Sequence, residues 1–324
     1  MFKLIRKKER LDIFKRSTFI GIALLIGQIV PYVASVGIVI YLTLCGYSNV
    51  QMNNMLTNDT VVLSTLNVIL TVICFVVPFW LFGKICIGKK AHEYMPFAFP
   101  KMNKVTFMCV AFGIGASMAS NFISNFVAIF METFLGLVPE QPELGGAIDN
   151  PEVLGIALLC TAAAPAFIEE FAFRGVALSI LRKFGDMPAI IISALLFGIM
   201  HGNFVQIPFA FGVGLALGLI TVMTDSIWPA VAVHFANNAI AVIFEYFSYM
   251  PFGSIITTMI FYGLIALGII MFIKLFKSGA FKRISKAPST MGAFERAVRM
   301  MLSPTVIIAV IMFIFTAVQY VSAA

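Results

Sequence analysis

From Ser17 to Leu44 the chain carries no acidic or basic side chain, and apolar runs of this kind recur to its end. Inside hydrocarbon a backbone has no water to bond, so only helices and closed barrels can satisfy their own N–H and C=O groups there. The runs lack the strict alternation of barrel strands. Crossing the bilayer core takes roughly 20 apolar residues in a helix. Candidate spans lie at 17–44, 61–82, 105–131, 153–173, 187–202, 205–223, 227–247, 255–276 and 304–321. The fifth and sixth are short and no charged loop separates them, so the expected number is eight or nine. The fold expected is all-α, a polytopic transmembrane helical bundle. Hydrophobic residues make up 60% of the 324-residue chain and charged residues 11%, which leaves no stretch for a separate soluble domain. Its parts are a basic segment 1–16, scaffold helices over 17–149, a polar-motif core over 150–247 and C-terminal helices over 248–324.

The basic residues set the expected orientation. Of 22 Lys and Arg, seven lie in 1–16, five between Lys84 and Lys104, and seven between Lys274 and Arg299. The alternate loops 45–60, 132–152 and 248–254 have none, and instead hold Asp59, Glu132, Glu140, Glu143, Asp149 and Glu152. The positive-inside rule then predicts a cytoplasmic N-terminus, with nine spans leaving Ala324 outside. An integral protein of the plasma membrane is expected, with 1–16 as the basic flank of a signal anchor that contacts lipid. The net charge of +7 is dispersed over juxtamembrane loops without a recognition motif, so no nucleic-acid partner is expected. The five cysteines form no close pair and no zinc spacing, and read as small apolar residues.

Several features read as scaffold. Pro31 and Pro78 can kink their helices. Asn121 and Asn125 share a helix face and are expected to bond across helices. Gly214 and Gly218, with Gly212, predict close helix packing in the sixth span. The stretch from Gly136 to Glu152 is rich in Pro, Gly and acid, and reads as a surface connection.

Against this background the polar residues between 153 and 247 stand out. Glu169, Glu170 and Arg174 share one apolar run, His201 closes another, and His234, Asn237 and Asn238 interrupt a third. A charge at the bilayer centre costs about 2.5–3.5 kcal/mol on the lenient insertion scales, so the first three would cost roughly 8–10 kcal/mol if uncompensated. Glu170 and Arg174 are four apart in the favourable order for a helical ion pair. Glu169 points about 100° away and is left free of that partner. Helical rise puts Glu169 about 20 Å from Arg182, His201 about 22 Å from Asp186 and His234 about 13 Å from Asp225, depths at which the three can meet in one cavity. His92, the third histidine, sits in a basic loop and reads as solvated surface.

A carboxylate held out of bulk water beside an imidazole can serve as a general base, and His and Asn side chains can donate to a tetrahedral oxyanion. Such a set activates water against an amide carbonyl. Other intramembrane protease patterns fail: His92-Glu93 lacks the second histidine of HExxH, Ser117 lacks a following glycine, and no aspartate pair is present.

Glu169-Glu170-xxx-Arg174, Phe197-xxx-His201 and His234-xxx-Asn238, in that order over roughly 150–245, resemble the three motifs of the CPBP (ABI) family. That family includes type II CAAX prenyl endopeptidases and bacteriocin-processing or self-immunity proteins. The resemblance implies a CAAX-protease-like intramembrane endopeptidase acting on a peptide or protein substrate associated with the membrane. It implies that Glu169, assisted by His201, activates water. His234 and Asn238 would stabilise the oxyanion, while Glu170 and Arg174 support the site. No cofactor is expected; the alternative is zinc on Glu169, His201 and His234, since catalytic zinc takes three protein ligands and a water. Two other readings compete: a catalytically silent immunity or scaffolding protein, and a proton-coupled transporter, which inverted repeats would favour and none is found.

Overall fold

The structure, a computed structural model, describes residues 1–48, 68–88, 95–139 and 151–323. His92, Asp59, Glu140, Glu143, Asp149 and the start of the second apolar run lie outside the described residues, as does Ala324. The described chain is a helical bundle. Its helices are α1 (Phe2–Leu44), α2 (Val68–Ile87), α3 (Lys104–Leu135), α4 (Val153–Arg182), α5 (Asp186–Met200), α6 (Gln206–Thr224), α7 (Trp228–Ser248), α8 (Gly253–Ser278), α9 (Ala293–Met301) and α10 (Pro304–Gln319). One two-stranded antiparallel ribbon, β1 (Leu137–Pro139) with β2 (Val321–Ala323), ties the end of α3 to the chain's C-terminal end.

Seven of these helices are long and apolar enough to cross a membrane, and eight if α9 and α10, bent by 69°, count as one span. The run 187–202, the fifth expected span, is the one not long enough to cross. It forms only the 15-residue α5, about 22 Å long against a hydrocarbon core of about 30 Å. What stops it is Gly202, in the left-handed region at φ +57°, followed by Asn203. The Asn203 Oδ1 accepts from the backbone N–H of Val205 at 2.9 Å and of Gln206 at 3.3 Å, which starts α6. α5 and α6 therefore form a hairpin.

Small residues let the helices approach. A Cβ on Gly214 would stand 3.1 Å from Ala194 Cα, and one on Gly218 would stand 3.0 Å from Ile190 Cγ2, so the glycine face of α6 packs on α5 as expected. α3 and α8 touch backbone to backbone at Gly115 and Gly268, where a Cβ on Gly115 would come within 2.5 Å of Gly268 Cα. Asn121 differs from expectation: its amide donates to its own helix, to Met118 O at 3.1 Å. Ser117 is buried and donates to Gly113 O at 2.9 Å.

Two prolines follow a widened turn of helix, while Pro31 lies inside the continuous helix α1. A π-helical turn at Val72–Val76 precedes Pro78, and another at Leu158–Ala163 precedes Pro165. Pro has no N–H to give the preceding turn. A third π segment, Phe171–Ala177, has no proline; such bulges concentrate at functional sites.

The basic segment 1–16 is the first part of α1 rather than a separate tail, since the helix begins at Phe2. Its side chains dock on the 284–300 stretch. Arg6 and Arg10 pair with Glu295 at 2.7 and 3.1 Å, and Glu9 accepts from Thr290 Oγ1 at 2.8 Å. All five cysteines are free thiols.

Candidate active site

α4, α5 and α7 bring the three polar motifs together, and they sort into a closed layer and an open one. In the closed layer Glu170 and Arg174 are fully buried and joined by an Nη1–Oε1 contact of 2.8 Å. The same Oε1 accepts from His234 Nδ1 at 2.9 Å, across to α7. Arg174 also donates through Nη2 to Gly214 O at 3.3 Å, and its guanidinium carbon lies 4.2 Å from the centre of the Phe197 ring. The rings of His201 and His234 meet that Phe197 ring edge to face, with centroids 5.0 and 5.8 Å away. One aromatic ring thus spaces the arginine and both histidines. Glu170 is the hinge of the layer because one carboxylate oxygen serves two helices.

The open layer is a cavity of about 70 Å³ lined by Glu169, His201, His234, Asn237, Asn238 and the Phe197 ring, among others. By volume that is room for more than one water. Glu169 is only partly buried, yet its Oε2 is shielded from solvent and has no hydrogen-bond partner. It lies 3.9 Å from His234 Nε2, beyond hydrogen-bond range but close enough for one water to touch both. A lone buried acceptor of this kind is costly unless something donates to it.

The ring nitrogens are assigned by their partners. His201 Nδ1 is 2.8 Å from Phe197 O, and a carbonyl only accepts, so Nδ1 carries the proton. His234 Nδ1 likewise faces the Glu170 carboxylate and carries a proton, which leaves its Nε2 turned toward Glu169. On α7, Asn237 Nδ2 donates to Asn238 Oδ1 at 3.0 Å, and Asn238 Nδ2 donates to Thr161 O at 3.1 Å. Thr161 lies in the π turn before Pro165, which turns its carbonyl toward a neighbouring helix.

Two larger cavities adjoin the small one. A chamber of about 580 Å³ shares His201, Asn237 and Asn238 with it and adds Asn121, Asn125 and Gln206. A recess of about 320 Å³ shares Glu169 and Asn238 and adds Val68, Cys160 and Ile168. Neither has a charged side chain in its lining apart from Glu169.

All four residues expected to do chemistry, Glu169, His201, His234 and Asn238, line the 70 Å³ cavity. The partnering differs in one respect. His234, expected only to donate to an oxyanion, is the imidazole next to Glu169, and Glu170 holds it from behind. Asn237, Thr161 and the Phe197 ring enter the site without having been assigned a role. Phe197 had a sequence signal as the first residue of the second motif and Asn237 as the neighbour of Asn238 in an apolar helix, while Thr161 had none. Among the described residues no three His, Cys, Asp or Glu side chains are arranged to hold a metal ion.

Residues 151–240 match the family model described as Rce1-like, type II CAAX prenyl endopeptidase Rce1-like. No curated protein and no solved structure matches the chain. The matched stretch holds every residue of the closed layer and all four expected catalytic side chains, while Asn121, Asn125 and all of α8 fall outside it. Through residues 151–240, this chain is similar to the type II CAAX prenyl endopeptidase Rce1-like family.

Proposed function

We propose that the protein is an intramembrane endopeptidase that hydrolyses a peptide bond with a water activated by Glu169. The observation that carries this reading is the unpartnered Glu169 Oε2 facing a water-sized cavity shared with two histidines and two asparagines. Glu169 takes a proton from the water as its oxygen bonds to the substrate carbonyl carbon. His201 Nε2 accepts the water's other hydrogen and orients it. His234 as imidazolium donates Nε2–H to the developing oxyanion together with the Asn238 amide. Glu169 then returns its proton to the leaving nitrogen as the C–N bond breaks, giving a carboxylic acid and an amine.

The chamber and the recess that adjoin the cavity suit an uncharged peptide, its neutral amides facing Asn121, Asn125 and Gln206. The positive-inside distribution of Lys and Arg supports a cytoplasmic N-terminus.

The test compares peptides in cells carrying the native chain with those in cells carrying Glu169→Gln, by mass spectrometry. A precursor that accumulates only in the variant supports the reading, and identical peptide profiles overturn it. A chelator belongs in the follow-up assay on that precursor. Activity lost to chelator and restored by zinc would replace the metal-free route while leaving the peptidase standing.

A further inference from the structure

A groove of about 790 Å³ runs between α3 and α8, apart from the site, and shares no residue with the catalytic cavity or its two neighbours. Its walls are apolar side chains, including Phe107, Val110, Ile114, Leu267 and Met271. On α3 these lie on one side of the Gly115–Gly268 contact, from which the groove extends toward the start of α3 and the end of α8. Ten residues of helix separate Lys104 from Ile114, about 15 Å, which matches one leaflet's half of the hydrocarbon core.

Two charged residues line the groove, Lys104 and Lys274, and both sit at the same end. Both are exposed, and neither has an acidic partner among the described residues. No carboxylate lines the groove. An apolar trough that opens at a headgroup-level pair of unpaired ammonium groups is complementary to one kind of molecule: an acyl chain below, a negative charge above.

We propose that this groove is a binding site for an anionic phospholipid of the same leaflet, with an acyl chain along α3 and α8 and the phosphate at Lys104 and Lys274. The site is independent of the proteolytic reading. A zwitterionic lipid would fill the same trough but would not gain from the two charges.

The full-length protein in neutral detergent would be titrated with phosphatidylglycerol or phosphatidylcholine of matched chains, following retained lipid by native mass spectrometry and the unfolding temperature in parallel. Phosphatidylglycerol should be retained more strongly. The double variant Lys104→Gln with Lys274→Gln should cut that preference by about twenty-five-fold, about fivefold (about 1 kcal/mol) for each lysine at an anionic surface. Lys277→Gln, at the same end of α8 but outside the groove, should leave it unchanged. Equal retention of the two lipids overturns the site, as does a preference that survives the double variant or falls equally with Lys277→Gln. Saturation by glycerol phosphate alone would reassign it to a free anion, and protection that tracks dimer formation would reassign it to a second copy of the chain.

Discussion

Ion pairs hold this molecule at two levels, and the same chemistry has opposite consequences at each. In the collar formed by the start of α1 and the α9 region, Arg6, Arg10 and Arg299 gather on Glu295, with side chains still about one-third exposed. In the core, Arg174 and His234 gather on Glu170, with the arginine and the carboxylate wholly out of solvent. Both clusters put several donors on one carboxylate, and both include an i, i+4 pair. In the collar, water can replace any lost partner, so each pair contributes about 0.2–1 kcal/mol. In the core nothing replaces it, and removing one partner leaves an ion stranded, at about 3–5 kcal/mol. The core therefore fixes one arrangement of α4 and α7, while the collar adjusts. Glu169 belongs to neither pattern: it is a core carboxylate left without the hydrogen bond that its neighbour has twice over.

The contrast between Glu169 and Glu170 is where the comparison is easiest to break. Glu169→Gln should lower turnover of the precursor by about 10²–10⁴-fold, the range for losing a positioned base. Its unfolding temperature in detergent should hardly move, because no partner is lost. Unchanged turnover would end the assigned role of Glu169. Next in size, Arg174→Ala should destabilise the fold by about 3–5 kcal/mol. Adding Glu170→Gln should then cost less than the sum of the two, since the stranded charge goes with it; additive losses would mean the pair does not act as a unit.

Gly214→Val should cost about 1–3 kcal/mol by overpacking, since its side chain would press on both Ala194 and the Arg174 guanidinium. If Ala in place of Gly214 is as damaging as Val, the contact is tighter than the glycine spacing implies. Smallest of all, Glu295→Gln should barely shift the unfolding temperature, and moderate salt should erase the difference. A salt-insensitive loss of several kcal/mol there would make the collar as rigid as the core.

Much of the core was legible along the chain because helical periodicity is local. The Glu170–Arg174 pair follows from a spacing of four, and the packing of α6 on α5 follows from Gly214 and Gly218. What sequence does not carry is the partner from another helix. Nothing along α7 says that His234 Nδ1 will find Glu170, or that Thr161 will take the Asn238 amide. Those contacts depend on helix rotation, and the π turns at 158–163 and 171–177 shift that rotation by an amount no hydrophobic pattern reports. The run 187–202 was read close to its observed extent, Asp186–Met200, but counted among the spans although it is too short to cross, because Gly202 and Asn203 make a turn there.

That early turn changes what lies above the site. α5 is packed mostly against its neighbours and stops about 8 Å short of a hydrocarbon core of about 30 Å. Beyond its tip, where His201 stands, the bundle presents the amides of Asn121, Asn125 and Gln206 in place of further apolar helix. The space a longer helix would have filled with hydrocarbon is left to groups that can hold water, so the second reactant has a place to wait beside the site.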